Sequence, residues 1–303
     1  VRSALAIAFG AALVLTAFSG PVAARQVVVE AVASPAPFSV NAYIVSAPEG
    51  LVVVDSLRTA DAAATLIERL RALNRPVVGI LITHTHPDHI GGLLALKTAF
   101  PQAQVIASVR TRDDIRDDRG GGIAQAARFV PGFGPTVPTP DRTVTADQPL
   151  TIAGLTFQIV EIGTGEAEHM TLYVLPDQKA VFGGDIGGRD AHPWLVEGHS
   201  GGWLDTIAVV REALAPDLTL HPGHGPSGPL GELLDEQTAY LGALRALVSV
   251  RVADGRLDDA DRDQIVAEID RRFPYPDVVA PLPDLRRRNV EAVAAELMAA
   301  GEP

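Results

Sequence analysis

The residue pattern predicts an α+β fold: two β-sheets packed face to face in a symmetric sandwich, helices outside, and further helices at the C-terminal end. Three observations carry that expectation. Short β-branched runs and helical periodicities come in the order β-rich, mixed, β-rich, mixed, then helices alone. The 303 residues are 47% hydrophobic and 20% charged, enough apolar material for one large domain, or one domain with an appendage. Cysteine is absent, which excludes a disulfide scaffold, a thiol nucleophile and any metal site built on thiolates.

Residues 1–24 read as an address. Arg2 precedes an apolar run over 4–18, and Val22-Ala23-Ala24 has the small residues of a signal-peptidase site. The run is shorter than the roughly 20 residues needed to span a bilayer. The expectation is a cleaved secretory signal, a mature chain starting near Arg25, no stable membrane anchor after cleavage, and a periplasmic or secreted protein.

The element pattern follows from there. Residues 26–31 are β-branched, and 38–46 and 51–55 flank the turn Pro48-Glu49-Gly50, which predicts a hairpin. Residues 59–73 carry apolar residues at helical spacing (Ala63, Leu66, Ile67, Leu70), with Pro76 beyond. Residues 77–83 are apolar at nearly every position, as in a buried strand; 92–99 predict a helix and 104–107 a strand. Residues 108–142 mix Arg/Asp pairs, Gly120-Gly121-Gly122 and a Pro/Gly stretch, and predict a long irregular insertion. Strands are expected again at 142–146, 150–153, 155–162, 171–175 and 180–182, a helix at 203–214 and a short strand at 218–220. Helices should occupy 231–252, 258–272 and 284–299. The division is a main domain over 25–228 and a helical extension over 229–303.

The net charge of −12 argues against nucleic acid or an anionic membrane surface as the main partner. The chemistry is concentrated directly after the strand at 77–83, in Thr83-His84-Thr85-His86-Pro87-Asp88-His89-Ile90-Gly91-Gly92. In an extended segment His84 and His86 project to one side. Asp88 and His89 follow after Pro87 bends the chain, so two imidazoles can grip one ion while Asp88 and His89 reach another. Imidazole and carboxylate are the ligands of a zinc-type ion.

This run resembles the H-x-H-x-D-H signature of the metallo-β-lactamase superfamily, and the likeness continues in order along 38–226. Val52-Val53-Val54-Asp55 is similar to the family's early strand ending in Asp. Phe182-Gly183-Gly184-Asp185 resembles the strand end whose acid bridges two metals, and His221-Pro222-Gly223-His224-Gly225 resembles the P-G-H-G segment, which points to His224. One segment departs. Where the family has G-H-T-x-G, this chain has Gly165-Glu166-Ala167-Glu168-His169. Register points to Glu166 as the ligand, and the preference of a zinc-type ion points to His169. The resemblance implies a four-layer αββα sandwich and two divalent ions, zinc in the first instance, with iron or manganese also compatible with so many carboxylates. It implies His84, His86 and Glu166 or His169 on one ion, Asp88, His89 and His224 on the other, and Asp185 bridging. The implied nucleophile is a metal-bridging hydroxide, with Asp88 orienting it or taking its proton. The expected activity is hydrolysis of a small ester, lactone, thioester, amide or sulfate ester by an exported enzyme. The alternatives are a metallo-class β-lactamase and a catalytically silent metal-binding module.

Other signals are weaker. His192 and His199 are either pocket-rim residues or solvent-exposed loop histidines. Trp194 and Trp203 fit packing better than a pocket, and His221 fits a strand end better than a ligand. The Arg/Asp cluster at 110–119 and Arg286-Arg287-Arg288 have the composition of solvated helix faces. The helices from 231 onward could pack on the sandwich, roof the site or mediate dimerisation.

Overall fold

A computed structural model describes residues 26–35, 38–252, 255–276, 279–280 and 282–301. The candidate signal over 1–24 lies outside them. The chain forms two six-stranded sheets, ordered β1-β2-β3-β4-β5-β6 and β12-β11-β10-β9-β8-β7. The first contains β1 (Val28–Ala33), β2 (Asn41–Ala47), β3 (Gly50–Val54), β4 (Val77–Leu81), β5 (Gln104–Ser108) and β6 (Arg142–Val144). The second contains β7 (Leu150–Ile152), β8 (Leu155–Ile162), β9 (Met170–Leu175), β10 (Ala180–Gly184), β11 (Thr219–Pro222) and β12 (Gly228–Pro229).

The hairpin expected around Pro48-Glu49-Gly50 is present, with β2 and β3 antiparallel and Tyr43 opposite Val54. From β3 to β6 the pairs are parallel, so each connection must cross over. The crossovers are helical: α1 (Ala60–Ala72), then α2 (Pro87–Ile90) with α3 (Leu93–Ala99), then α4 (Val109–Asp117) with α5 (Gly122–Phe129). Thr59 caps α1 by accepting from the Ala62 N–H.

The stretch 108–142 is therefore the β5–β6 crossover and carries two helices, where the sequence suggested an irregular insertion. Ser108 caps α4 through the Thr111 N–H. Asp118 ends it in the left-handed region, and its carboxylate accepts from Ile123 and Ala124 at 2.9 Å, which caps the start of α5. The Arg/Asp pairs are surface ion pairs along α4, such as Arg116–Asp113 and Arg116–Asp117. That polarity, together with the glycines, hides the helical period.

Three apolar layers separate the elements. Between the sheets lie Tyr43, Val54, Leu81, Phe157, Tyr173 and Phe182. The outer face of the first sheet packs on α1 and α3 through Leu66, Leu70, Leu93 and Leu96. The outer face of the second is covered by α6 (Ser200–Ala213) and α7 (Leu230–Val252), and α8 (Asp259–Arg272) and α9 (Leu285–Ala300) pack in turn on α7, in one apolar cluster with Trp203, Leu234, Leu241, Ile265, Val290 and Val293. This is the αββα arrangement, with the C-terminal helices packed on the sandwich. Each fully buried large side chain contributes roughly 1.5–3 kcal/mol. Among the described residues no helix is long and apolar enough to cross a membrane.

Candidate metal centre

Strand ends position the site. Asp55 follows β3, the histidine run follows β4, Asp185 follows β10 and His224 follows β11. β3 runs parallel to β4 and β10 parallel to β11, so all four chain exits point to one edge of the sandwich. The two glycines after the histidine run are required by close approach. A Cβ at Gly91 would lie 1.7 Å from the Arg58 carbonyl oxygen, and one at Gly92 would lie 2.1 Å from that of Ser56.

Two groups of possible ligand atoms converge there: His84, His86, Glu166 and Asp185, and beside them Asp88, His89 and His224. Asp185 lies between them. Its Oδ2 is 3.5 Å from His84 Nε2, 3.0 Å from His89 Nε2 and 3.7 Å from His224 Nε2. Asp88 Oδ2 is 3.2 Å from His224 Nε2 and 4.0 Å from His89 Nε2. His86 Nδ1 is 3.9 Å from Glu166 Oε2.

Of the two alternatives at 165–169, the structure brings Glu166 into the centre. His169 stays outside both groups, with Nδ1 3.3 Å from Arg110 Nη1 and Nε2 3.6 Å from Glu168. The reason is register. Glu166 precedes β9 at the site edge, while His169 immediately precedes the strand and faces α4.

The residues present fit a pair of cations. His84 Nε2, Glu166 Oε2, Asp185 Oδ1 and His224 Nε2 are buried and have no hydrogen-bond partner, a condition that calls for an ion or water. Each of the four imidazoles has its other nitrogen tied. His89 Nδ1 donates to Asp55 Oδ2 at 2.8 Å, and His224 Nδ1 donates to the Ser39 carbonyl at 2.7 Å. The Thr83 hydroxyl donates to Asp55 Oδ2 and so accepts from His84 Nδ1 at 3.0 Å. His86 Nε2 donates to Glu197 Oε1 at 2.8 Å. Four lone pairs are thereby directed inward, as metal-binding histidines require. Gly223 completes the cradle, because a Cβ there would fall 2.1 Å from Asp185 Oδ1.

Charge is shared unevenly across the cluster. Burial works to raise the Asp88 and Asp185 carboxyls. Arg58 and then His89 hold Asp88 well below the usual range, and His89 with His224 do the same for Asp185. Burial and then the neighbouring Asp185 push Glu166 well above it. Burial, then His89 and His86, lower His84.

Over the centre opens a cavity of about 750 Å³ whose lining includes Arg58, His86, Asp88, Phe129, Trp194 and Leu282. Its size suits a small organic ligand. The crossover helices thus supply one wall, and Phe129 at its mouth is 64% exposed.

Several residues take places that the sequence did not assign. Asp55, visible only as a strand-end acid, organises Thr83, His84 and His89. Arg58 donates to Asp88 Oδ2 at 3.2 Å and also to the Val279 carbonyl. His192 is neither rim nor solvent-exposed: it is buried, with Nδ1 2.9 Å from the Tyr240 hydroxyl. His199 lines the cavity, as does Trp194, while Trp203 packs in the core and donates to the Ile186 carbonyl. His221 stacks on Phe182 and lies outside both groups.

Comparison with known proteins agrees with this geometry. A family model described as the metallo-beta-lactamase superfamily matches residues 35–224. The hydroxyacylglutathione hydrolase of Rhodopseudomonas palustris (strain BisA53) is 27% identical over 245 residues, covering 75% of this chain and 86% of that protein. The linear primary-alkylsulfatase of Pseudomonas sp. (strain ATCC 19151) is 25% identical over 172 residues, 47% of this chain, and the chain spans only 32% of that relative. A beta-lactamase domain protein from Burkholderia ambifaria superposes with a TM-score of 0.66 at 20% identity, over 92% of this chain and 90% of its own. A metallo-beta-lactamase family protein from Thermus thermophilus gives 0.64 at 18% identity, over 90% and 94%. At such identities the two structures speak to the fold alone.

Proposed function

The chain belongs to the metallo-β-lactamase superfamily of metal-dependent hydrolases, and from that premise we propose that it is an exported dinuclear hydrolase of a small ester, lactone, thioester, amide or sulfate ester. The observation that carries this reading is the set of four imidazoles, each with its outer nitrogen tied, facing Asp88, Asp185 and Glu166 in a buried cluster. His84, His86 and Glu166 would hold one divalent ion and Asp88, His89 and His224 the other, with Asp185 between them. Two such ions, zinc in the first instance, supply a nucleophile at neutral pH and a Lewis acid for the substrate's carbonyl or sulfuryl oxygen.

The protein's own groups do the rest. Arg58 keeps Asp88 ionised and fixes one of its oxygens, so the Asp88 carboxylate can orient an attacking water and take its proton. Trp194, through its backbone N–H, holds Glu166 Oε1 at 2.9 Å. The cavity above admits the substrate, and Phe129, Trp194 and Leu282 offer apolar contact to its organic part.

The test is a substrate panel on metal-quantified protein. The names of the relatives put an acylglutathione and a primary alkyl sulfate first, followed by aryl esters, lactones and the β-lactam nitrocefin. Two equivalents of divalent metal and chelator-sensitive turnover of one class are expected. Fewer than two equivalents would overturn the dinuclear reading, and preferred turnover of nitrocefin would make the protein a lactamase. Export rests on the pattern of residues 1–24, and N-terminal sequencing of the extracytoplasmic protein should find a start near Arg25.

A further inference from the structure

The outer partners of the candidate ligands come from two different sources. Asp55, Thr83, Ser39 and Arg58 serve His84, His89, His224 and Asp88, and all of them come from the first sheet and the segments at its strand ends. His86 and Glu166 are served instead by the loop between β10 and α6. Glu197 Oε1 accepts from His86 Nε2 at 2.8 Å, and the Trp194 N–H donates to Glu166 Oε1 at 2.9 Å.

Glu197 is an exposed side chain. An exposed carboxylate holds a fixed direction only if its backbone is held, and here α9 holds it at both ends. Asn289, fully buried, donates through Nδ2 to the Pro193 carbonyl at 2.7 Å and accepts from the Leu195 N–H at 3.0 Å. Glu296 accepts from the Ser200 N–H at 2.9 Å, the Ser200 hydroxyl at 2.6 Å and the Gly201 N–H at 2.8 Å. These bonds cap α6, whose own N-cap residue, His199, provides no side-chain cap. Arg245 Nη1 steadies Glu296 at 2.9 Å. Asn289 and Glu296 stand two helical turns apart and so share one face of α9. Among the described residues, the other candidate group is reached from the C-terminal region through Arg58, which donates to the carbonyl of Val279, and Val279 lies ahead of α9.

We propose that Glu197 is a positioning residue for His86, and that α9, outside the family-matched segment, sets the affinity of the ion held by His84, His86 and Glu166 while leaving its neighbour's unchanged. The proposal rests on the dinuclear reading above. It assigns the C-terminal helix a selective part in loading the site.

Stepwise chelator competition, with cobalt(II) absorption as a second readout, tests it on the full chain. Wild type should hold two equivalents. Glu197→Ala should weaken one of them by about 10–100-fold and leave the other in place, with the thermal midpoint of the metal-free protein unchanged. Glu197→Gln, which keeps an acceptor for the His86 N–H, should recover most of the loss. Asn289→Ala should reproduce the one-ion defect from a distance. Should that variant not fold, Glu296→Gln loosens the same loop more gently and takes its place. A Glu197→Ala protein that holds both ions tightly, or loses both alike, overturns the proposal. A normal second ion in both α9 variants overturns the part given to the helix. A wild type holding fewer than two equivalents defeats the dinuclear reading, and this proposal with it.

Discussion

The two halves of the centre share one histidine run but not one means of support. His84, His89 and Asp88 are braced inside the sandwich, His84 and His89 through Asp55 and Asp88 through Arg58. His86 and Glu166 lean on a loop whose ends are tied to the last helix. The braced half accepts local strain. Asp55 has φ 60°, a left-handed conformation that costs a non-glycine residue roughly 1–2 kcal/mol. Its carboxylate offsets this by accepting from the Thr83 N–H, the Thr83 hydroxyl and His89 at 2.8–2.9 Å. The leaning half relies on reach across the chain, and it too holds left-handed residues, Asp190 in the loop at φ 62° and Asp284 ahead of α9 at φ 60°. A two-ion centre can thus be a single chemical unit and two structural ones.

The comparison can be broken most sharply at the residue between the halves. Asp185→Asn should cost both ions and lower hydrolysis on the order of 10³-fold. Retention of two tight equivalents would show that the halves do not meet at Asp185. Next, Glu166→Gln should release one equivalent, while His169→Ala keeps both; metal content after dialysis decides. On the braced side, Asp55→Ala strips an acceptor from three donors. It should destabilise the protein by roughly 2–4 kcal/mol, read in urea midpoints, and weaken the ion at Asp88, His89 and His224. An equal loss of the ion at His84, His86 and Glu166 would mean that the Thr83–His84 link matters as much as the His89 link.

The smallest effect concerns pH. Burial pushes the His221 imidazole down to about 4. The unfolded chain therefore takes up the proton first, and the stability this residue contributes is present above its ordinary value of about 6.5 and lost as pH falls to about 4. Partial exposure limits the contribution to about 1–2 kcal/mol. His221→Gln should flatten the pH slope of the denaturant midpoint between pH 7 and 4.5.

Most of the fold was legible because its signals are local. The apolar run before Thr83 and the helical spacing of Ala63, Leu66, Ile67 and Leu70 each report their own element. The candidate ligands were legible for a similar reason, since four of them sit in one six-residue run. Helix α4 was hidden because its stability comes from a cap at Ser108 and from ion pairs, with few apolar residues to mark a period, and α5 because it is only eight residues long and starts within a run of three glycines. Glu197 and Asn289 left no trace in the sequence. A single loop glutamate and a single helical asparagine acquire their roles only when residues 86, 166, 195 and 289 meet in space. His192, read as either a pocket-rim or an exposed loop histidine, is buried because α7 carries Tyr240 over it.

The bidentate grip of Asn289 on Pro193 and Leu195 also orders events in time. On a ribosome, every residue of the Asp88–His89–His224 group and of its braces inside the sandwich has been made once residue 225 is joined. The loop that steadies His86 and Glu166 cannot be tied down until Asn289 and Glu296 emerge, well after residue 225. If α9 sets the affinity of one ion as proposed, the nascent chain is equipped for one cation before it is equipped for two.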